Sequence, residues 1–438
     1  LLFVLNVDMY PEELELTIDD MAQGGDGVGR WEGRVVFAQG GLPGERVRVR
    51  LHERRSDFAR GKVIKVFEAS PDRIEPRLPE YGDHMSWQHI DYAAQLRFKR
   101  SILQQQLERL GGLPDAPVAE MIASPKQWGY RNSAHFHVHG KKVGYHAANS
   151  RRVVELAEDP LLMPILNEAL AALRDTLHYT LSDDMQLNSA GVRASTSYGY
   201  ALGSLEGSGE LAGTAWRWRS RMGALAGVHY SDPVDPRASL LVEGAEAISE
   251  EFGDMLFELS AQSFFQVNKD QAENLLRLVR EGLDLQPEQR LLDAYSGVGT
   301  FALPLSRLCN EVIAVEEHPA AVQDGYNSLM LNNIGNVHFH EGQVERTLMT
   351  LDGSFDAAVL DPPRRGCHPA ALEAIIALAP TKIAYVACSP GILARDLKFL
   401  LAERDLGMPR YELRSVTPVD MFPQTPHIEC VAVLEQVA

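Results

Sequence analysis

Cysteine is scarce in this chain. Four stand among 438 residues, at Cys309, Cys367, Cys388 and Cys430, with no paired spacing. That excludes a disulfide scaffold and indicates a reducing, cytoplasmic compartment. Long apolar runs are also missing; none approaches the roughly 20 residues needed to span a bilayer. The opening Leu1–Leu5 run is too short for a signal-peptide core and lacks a basic leader. A start without methionine is expected to reflect a trimmed or differently assigned terminus. There is no long repeat and no low-complexity segment. Positive charge is in deficit, with 42 Lys and Arg against 60 Asp and Glu, a net −18. A polyanionic partner would be repelled on average, so any nucleic-acid site must be a local basic surface. An apolar content of 45% suffices for globular cores, and the length predicts two or three domains.

One such surface exists. Arg46 to Lys65 carries eight Arg and Lys against two acids. Its first part alternates arginine and valine, which places arginines on one strand face and valines on the other. Arg46, Arg48, Arg50, Arg54, Arg55, Arg60 and Lys62 are the candidate nucleic-acid contacts, against the alternative of a solvated strand face. Trp216–Arg221 (W-R-W-R-S-R) is a second candidate, read as a strand face on which indoles and guanidinium groups could stack on bases. His135, His137 and His139 would share another strand face. Alternate residues on a strand lie about 7 Å apart, so surface polar or nucleic-acid contacts fit better than a metal. No metal site is expected.

The C-terminal part carries the chemistry. Leu291-Leu292-Asp293-Ala294-Tyr295-Ser296-Gly297-Val298-Gly299 reads as a strand followed by a glycine-rich turn and a helix. Glycines let the backbone turn sharply and approach a ligand closely. Roughly 20 residues later a second strand ends in acid at Glu316, where a carboxylate can accept both hydroxyls of a ribose. The turn lacks the third glycine of the dinucleotide fingerprint and the Lys-Ser/Thr of a P-loop, which favours S-adenosylmethionine, a cofactor with no phosphates. Phe355–Asp361 is another strand, ended by Pro362-Pro363. An aromatic after these prolines would point to amino-group methylation; Arg364 stands there instead. Ile383–Asp396 puts Cys388 at the end of a further apolar strand. In open α/β sheets ligands sit at the carboxyl ends of strands, so Asp293, Glu316, Asp361 and Cys388 should converge on one crevice. A lone cysteine beside a nucleotide-type cofactor suggests covalent catalysis; the alternative is a small buried hydrophobe.

Phe264–Asn268 (F-F-Q-V-N), D-A-Y-S-G-V-G-T-F, V-E-E, L-D-P-P-R-R-G, A-C-S-P-G-I-L-A-R-D and Asp420–Glu429 (D-M-F-P-Q-T-P-H-I-E) occur in one order. Together they resemble the RNA uracil-C5 methyltransferases, and the N-terminal segment is similar to the RNA-binding TRAM module. The resemblance implies cofactor contacts at Gln266, Tyr295, Gly297, Glu316 and Asp361, a nucleophile at Cys388 and a base at Glu429. It implies a class I, Rossmann-like α/β methyltransferase domain over 260–438, a mixed central RNA-binding region over 68–259, and an OB-like TRAM barrel over 10–67. The amphipathic helix at 91–112 would pack on the catalytic domain. Many relatives hold an iron–sulfur cluster on four cysteines. This chain has no cysteine before Cys309, and offers Asp159 where the fourth ligand usually stands, so no cluster is expected.

The resemblance thus implies 5-methyluridine formation by a monomeric cytoplasmic enzyme, first in 23S rRNA because of the barrel. The alternatives are tRNA and a non-catalytic RNA-binding or folding factor. Retention of Cys388, Glu429 and every cofactor position argues against the last. Cytosine-C5 methylation is disfavoured because its nucleophile follows Pro or Thr, whereas Cys388 follows Ala387.

Overall fold

The computed structural model describes residues 10–78, 85–147, 150–180, 185–209, 211–232, 235–403 and 409–437. The opening run and most of the stretch where relatives carry cluster cysteines lie outside the described residues. The chain forms two compact units. The first takes the described residues of Leu1–Ala123 with Cys388–Lys398 and Thr417–Cys430; the second takes the remainder.

The first unit opens with β1 (Glu13–Met21), β2 (Gly27–Trp31), β3 (Arg34–Gln39), β4 (Arg46–Arg54) and β5 (Phe58–Glu68). They close into a barrel in the order β1-β2-β3-β5-β4. In β4 the valines and Leu51 point into the barrel with Leu14, Leu16, Ile18 and Val36, as the two-residue period requires. Helix α1 (Tyr92–Arg109) follows. The Asp91 side chain caps it through the Ala93 amide at 3.0 Å, and Gly111-Gly112 ends it. Its buried face carries Ala94, Ile102, Leu103 and Leu107, and also Gln95 and Lys99.

The second unit begins with β6 (Ser133–His139), β7 (Lys142–His146), β8 (Val153–Glu155), α2 (Pro164–Thr180), β9 (Gln186–Ala194), β10 (Ala201–Ser208), α3 (Ala212–Arg221), β11 (Leu225–Asp232) and β12 (Asp235–Gly244). Their strands form one sheet ordered β12-β11-β10-β9-β6-β7-β8. The expected strand at Trp216–Arg221 is instead the end of α3. Trp218 is 1% exposed and donates its indole N–H to the Ala169 carbonyl, whereas Trp216 is 57% exposed. A helical turn of 3.6 residues turns these indoles to different sides, so they do not form a paired stacking face. His135, His137 and His139 do share a face of β6, and His137 stacks on His146 at 3.6 Å. Among the described residues no group of three His, Cys, Asp or Glu could hold a metal. No described helix is long and apolar enough to cross a membrane.

A hairpin of β13 (Ala247–Phe252) and β14 (Met255–Ser260) and helix α4 (Lys269–Leu283) lead to the second large sheet. Its elements are β15 (Arg290–Ala294), α5 (Ala302–Leu305), β16 (Glu311–Glu316), α6 (Pro319–Asn332), β17 (Val337–Glu341), α7 (Val344–Thr347), β18 (Ala357–Leu360), α8 (Pro369–Leu378), β19 (Lys382–Ala387), α9 (Pro390–Leu400), β20 (Arg410–Val419) and β21 (Glu429–Val437). The strand order is β17-β16-β15-β18-β19-β21-β20, with the first five strands parallel. The residues of β18 are buried throughout and those of β15 after Arg290 are too, which is why both read as short unbroken apolar runs.

Candidate active site

Because β16, β15, β18 and β19 are neighbours running the same way, their carboxyl ends lie along one edge. Asp293 is the penultimate residue of β15, Glu316 is the last of β16, and Asp361 immediately follows β18. In the second unit the glycine turn is bound to the neighbouring strand end. The Gly297 amide donates to Glu316 Oε2 at 2.9 Å, and the His318 amide donates to Glu316 Oε1 at 2.8 Å. Each carboxylate oxygen retains acceptor capacity for a further donor. Tyr295 sits at φ +66°, a left-handed conformation uncommon outside glycine and often found at functional sites. A Cβ on Gly297 would meet nothing within 4 Å, so the turn faces open space on that side.

The floor of this edge is acidic. Asp293 is fully buried, and both its carboxylate oxygens are without a hydrogen-bond partner among the described residues. Burial, then the nearby Asp361, pushes its carboxyl well above the usual carboxylate range. Burial alone raises Asp361 to about 7. An orphaned buried carboxylate beside a second acid calls for a cationic or hydrogen-bond-donating guest. Gln266 lies in the loop before α4, 8% exposed, and its carbonyl accepts from the Asn132 side chain at 3.1 Å.

Cys388 and Glu429 belong to the first unit. Cys388 is partly exposed, whereas Cys309, Cys367 and Cys430 are buried. The backbone carbonyl of Ser389, the next residue, accepts the Leu393 amide at 2.9 Å, the first hydrogen bond of α9. The thiol thus stands at the amino end of an 11-residue helix, where the aligned peptide dipoles favour a thiolate. Glu429 opens β21 and is 4% exposed. The Cys430 thiol is pushed well up by burial, with the charges of Glu429 and Cys388 adding to it, so both act electrostatically on one buried thiol.

The loop ahead of Glu429 is fastened to α1. Lys99 Nζ meets Asp420 Oδ1 at 2.5 Å and the Phe422 carbonyl at 3.0 Å, and the Tyr92 hydroxyl donates to Asp420 Oδ2 at 2.7 Å. Gln95 donates to Gln424 Oε1 and accepts the Gln424 amide, both at 3.0 Å, which holds Gln424 at φ +67°. Sequence reasoning missed these supports, although Lys99 on the apolar stripe of α1 was a signal for them. On the barrel side, Gln23 Nε2 donates to Ser389 Oγ at 3.3 Å, and the Trp87 indole donates to the Gly25 carbonyl at 3.1 Å. A Cβ on Gly25 would lie 2.6 Å from both Trp87 and Pro426, so this approach requires glycine.

Most arginines of the stripe make exposed ion pairs. In the antiparallel register of β1 and β4, Arg48 pairs with Glu15 at 2.6 Å and Arg50 with Glu13 at 2.8 Å, while Arg46 reaches Glu68 across to β5 at 2.8 Å. Arg55 pairs with Glu53 at 2.9 Å, and Arg60 lies 3.4 Å from Asp26 and over the Phe37 ring. Arg54 reaches the Pro11 carbonyl. Lys62 makes no ion pair among the described residues. Asp159 is buried and accepts from Tyr145 and from the Leu161 amide, each at 2.9 Å.

Comparison with known proteins bears on these features. Residues 245–437 match the family model described as tRNA (Uracil-5-)-methyltransferase, and residues 11–64 match the TRAM domain. A Thermosynechococcus vestitus protein named as an uncharacterized RNA methyltransferase is 35% identical, over 96% of this chain and 97% of its own length. A Synechocystis protein of the same description is 35% identical, over 97% and 96%. The solved tRNA (uracil-54, C5)-methyltransferase of Pyrococcus abyssi, in complex with S-adenosyl-L-homocysteine, has a TM-score of 0.75 at 24% identity. That match covers 96% of this chain and 99% of the other, and it shows a shared fold. The glycine turn held by Glu316, the closed N-terminal barrel and the 35% identity along almost the whole length place the chain among the RNA methyltransferases of the tRNA (uracil-5-)-methyltransferase family that carry a TRAM domain.

Proposed function

We propose that the protein methylates C5 of uracil in RNA, using S-adenosylmethionine, with Cys388 as nucleophile and Glu429 as base. The observation that carries this reading is a partly exposed thiol at a helix amino end and a buried carboxylate, Glu429, both of which act electrostatically on Cys430. The acidic floor fits the cofactor. Asp293 and Asp361 suit its ammonium and sulfonium charges, Glu316 suits ribose hydroxyls, and Tyr295, Gly297 and Gln266 would line the rest. The cofactor, when bound, supplies an electrophilic methyl group.

Uracil C5 is too weak a nucleophile to take that methyl unaided. Thiolate addition from Cys388 to C6 breaks the C5–C6 π bond and leaves enolate charge that reaches C5. C5 then forms the new carbon–carbon bond, and the cofactor departs as its thioether. The carboxylate of Glu429 takes the remaining C5 proton. The electron pair of that C–H bond restores the double bond, and the C6–S bond breaks to return thiolate to Cys388. A base works best when positioned, and Glu429 follows a loop fastened to α1 through Asp420 and Gln424. The uracil must leave its stack to reach the thiol.

Among RNAs, 23S rRNA is assigned first because of the appended barrel. A tRNA substrate is the second reading, supported by the name of the matching family and of the Pyrococcus abyssi neighbour. The test is mass-spectrometric mapping of 5-methyluridine in rRNA and tRNA from a deletion strain and its complemented parent. Loss of a 23S site supports the first assignment and loss of a tRNA site the second. An unchanged complement of 5-methyluridine overturns the function.

A further inference from the structure

Two cavities open on the first unit, and neither involves the arginine stripe. One, of about 340 Å³, is lined by Lys62, Ile64 and Lys65 of β5 and by Arg73, Gln88 and His89. The other, of about 250 Å³, lies between the β1–β2 turn at Gly24–Asp26 and the loop at Thr425, Pro426 and His427. Both are lined by Gln39, Gly40 and Ser86, so they are two widenings of one groove. The groove starts at the lysines of the barrel and ends two residues short of Glu429.

Its chemistry changes along its length. At the barrel end Lys62 and Lys65 are exposed and form no ion pair among the described residues, unlike Arg46, Arg48 and Arg50. Lys65 lies over the Phe67 ring at 4.8 Å, a contact that leaves its charge unneutralised, and cations without a counter-charge are what phosphates need. Ile64, 42% exposed between them, offers an apolar surface to a base. His89 carries a buried Nε2 with no hydrogen-bond partner among the described residues, and burial lowers its pKa to about 4, so the ring is neutral. At the far end the lining is polar and uncharged apart from Asp26: Gln39, Ser86, Thr425 and His427, with backbone exposed at Gly24 and Gly40. Such groups read base edges and ribose hydroxyls rather than phosphates. Each cavity has room for nucleotide-sized groups, near the lower end of the roughly 300–1,000 Å³ range of ligand sites, and neither admits a duplex.

We infer that this groove is the track for the single-stranded RNA flanking the target uracil, with phosphates on Lys62 and Lys65 and a neighbouring nucleotide between the β1–β2 turn and His427. The inference rests on the RNA-methylating function proposed above. It moves the barrel's RNA contact from the arginines of β4, whose charge is already answered by glutamates, to the lysines of β5.

The test uses the full-length protein and a fluorescent oligouridylate of about twelve nucleotides, a length that single-strand sites span. Anisotropy is followed across a salt series. Lys62→Gln with Lys65→Gln should weaken binding about tenfold at low salt and reduce the log–log salt slope by roughly 1.4 units, since two phosphate contacts are lost. Arg48→Gln with Arg50→Gln should leave the slope unchanged. Ser86→Trp, which fills the stretch common to both cavities, should weaken RNA binding while calorimetric affinity for S-adenosylhomocysteine stays at the parental value. The lysines are exposed, so an unchanged melting temperature is expected for their variant. An equal or larger slope change from the arginine pair, an unaffected Ser86→Trp, or a parental protein that does not bind the probe overturns the track. A protein that meets these expectations yet forms no 5-methyluridine overturns the function and leaves the groove; an active enzyme indifferent to the lysine changes does the reverse.

Discussion

Lys99 and Asp420 form an ion pair of 2.5 Å in which neither side chain is exposed to solvent. The pair joins α1 to the loop that leads to Glu429. Tyr92 and the Phe422 carbonyl satisfy remaining polar atoms, and Trp87 lies 5.7 Å from the ammonium. Such a pair contributes less through attraction than it would forfeit if broken, because a single partner left behind is a buried, uncompensated charge.

Lys99→Met should therefore destabilise the protein by about 3–5 kcal/mol, while Lys99→Met combined with Asp420→Asn should recover part of that loss. Chemical denaturation of the three variants checks it. If the double variant is as unstable as the sum of the single ones, the coupling is absent.

Cys388→Ser should retain cofactor affinity and lose methyl transfer by at least about a thousandfold, because a neutral hydroxyl adds poorly to C6 and cannot use the helix amino end as a thiolate does. Single-turnover assays with tritiated cofactor provide the measurement. Turnover within tenfold of the parent would assign the nucleophile elsewhere.

Glu429→Gln should accumulate a covalent protein–RNA species, since addition and methyl transfer precede proton removal. On a denaturing gel with labelled RNA it should appear as a slow band carrying the cofactor's methyl. Parental turnover without that band would remove Glu429 from the mechanism.

Cofactor affinity should rise with pH. Burial holds Asp361 at about 7, so it takes up a proton in mild acid; burial, with Asp361 adding to it, also raises Asp293 well above the usual carboxylate range. A cation prefers their ionised forms, and S-adenosylmethionine should bind up to about tenfold more tightly at pH 8 than at pH 6. The sign for stability is opposite. The ligand-free folded chain keeps a proton on Asp361 that the unfolded chain has released, so this group's contribution to stability falls as pH rises from about 4 to 7. Calorimetric titrations at both pH values suffice; a flat affinity would show that these acids do not meet the cofactor.

Much of the catalytic sheet was legible because its strands are short apolar runs stopped by glycine or proline, with Asp293, Glu316, Asp361 and Cys388 each marking a strand end. The arginine stripe was legible as a strand face and not as a neutral one. Its glutamates lie in β1, 33 and 37 residues away, and only the register sets Glu15 beside Arg48 and Glu13 beside Arg50. Trp218 misled because two indoles two residues apart mimic a strand period. The competing helical signal was the spacing of Thr214, Ala215 and Trp218, which are the residues α3 buries. Lys99 was not legible as a buried charge, since the carboxylate that accounts for it is 321 residues away.

That separation bears on how the protein is made. When α1 leaves the ribosome, its inward face holds an ammonium and an amide whose partners do not yet exist. At about 5–20 residues per second, Asp420 and Gln424 arrive roughly a quarter of a minute to a minute later. Until then the barrel and α1 lack the two C-terminal segments that complete their unit. A chain cut short by a premature stop after α9 keeps the glycine turn and Cys388 but leaves Lys99 without its counter-charge. Such a product carries a partly exposed thiol on an unfinished scaffold, which quality-control proteases can remove, so the segment that bears Asp420 and Gln424 must be made before that scaffold is complete.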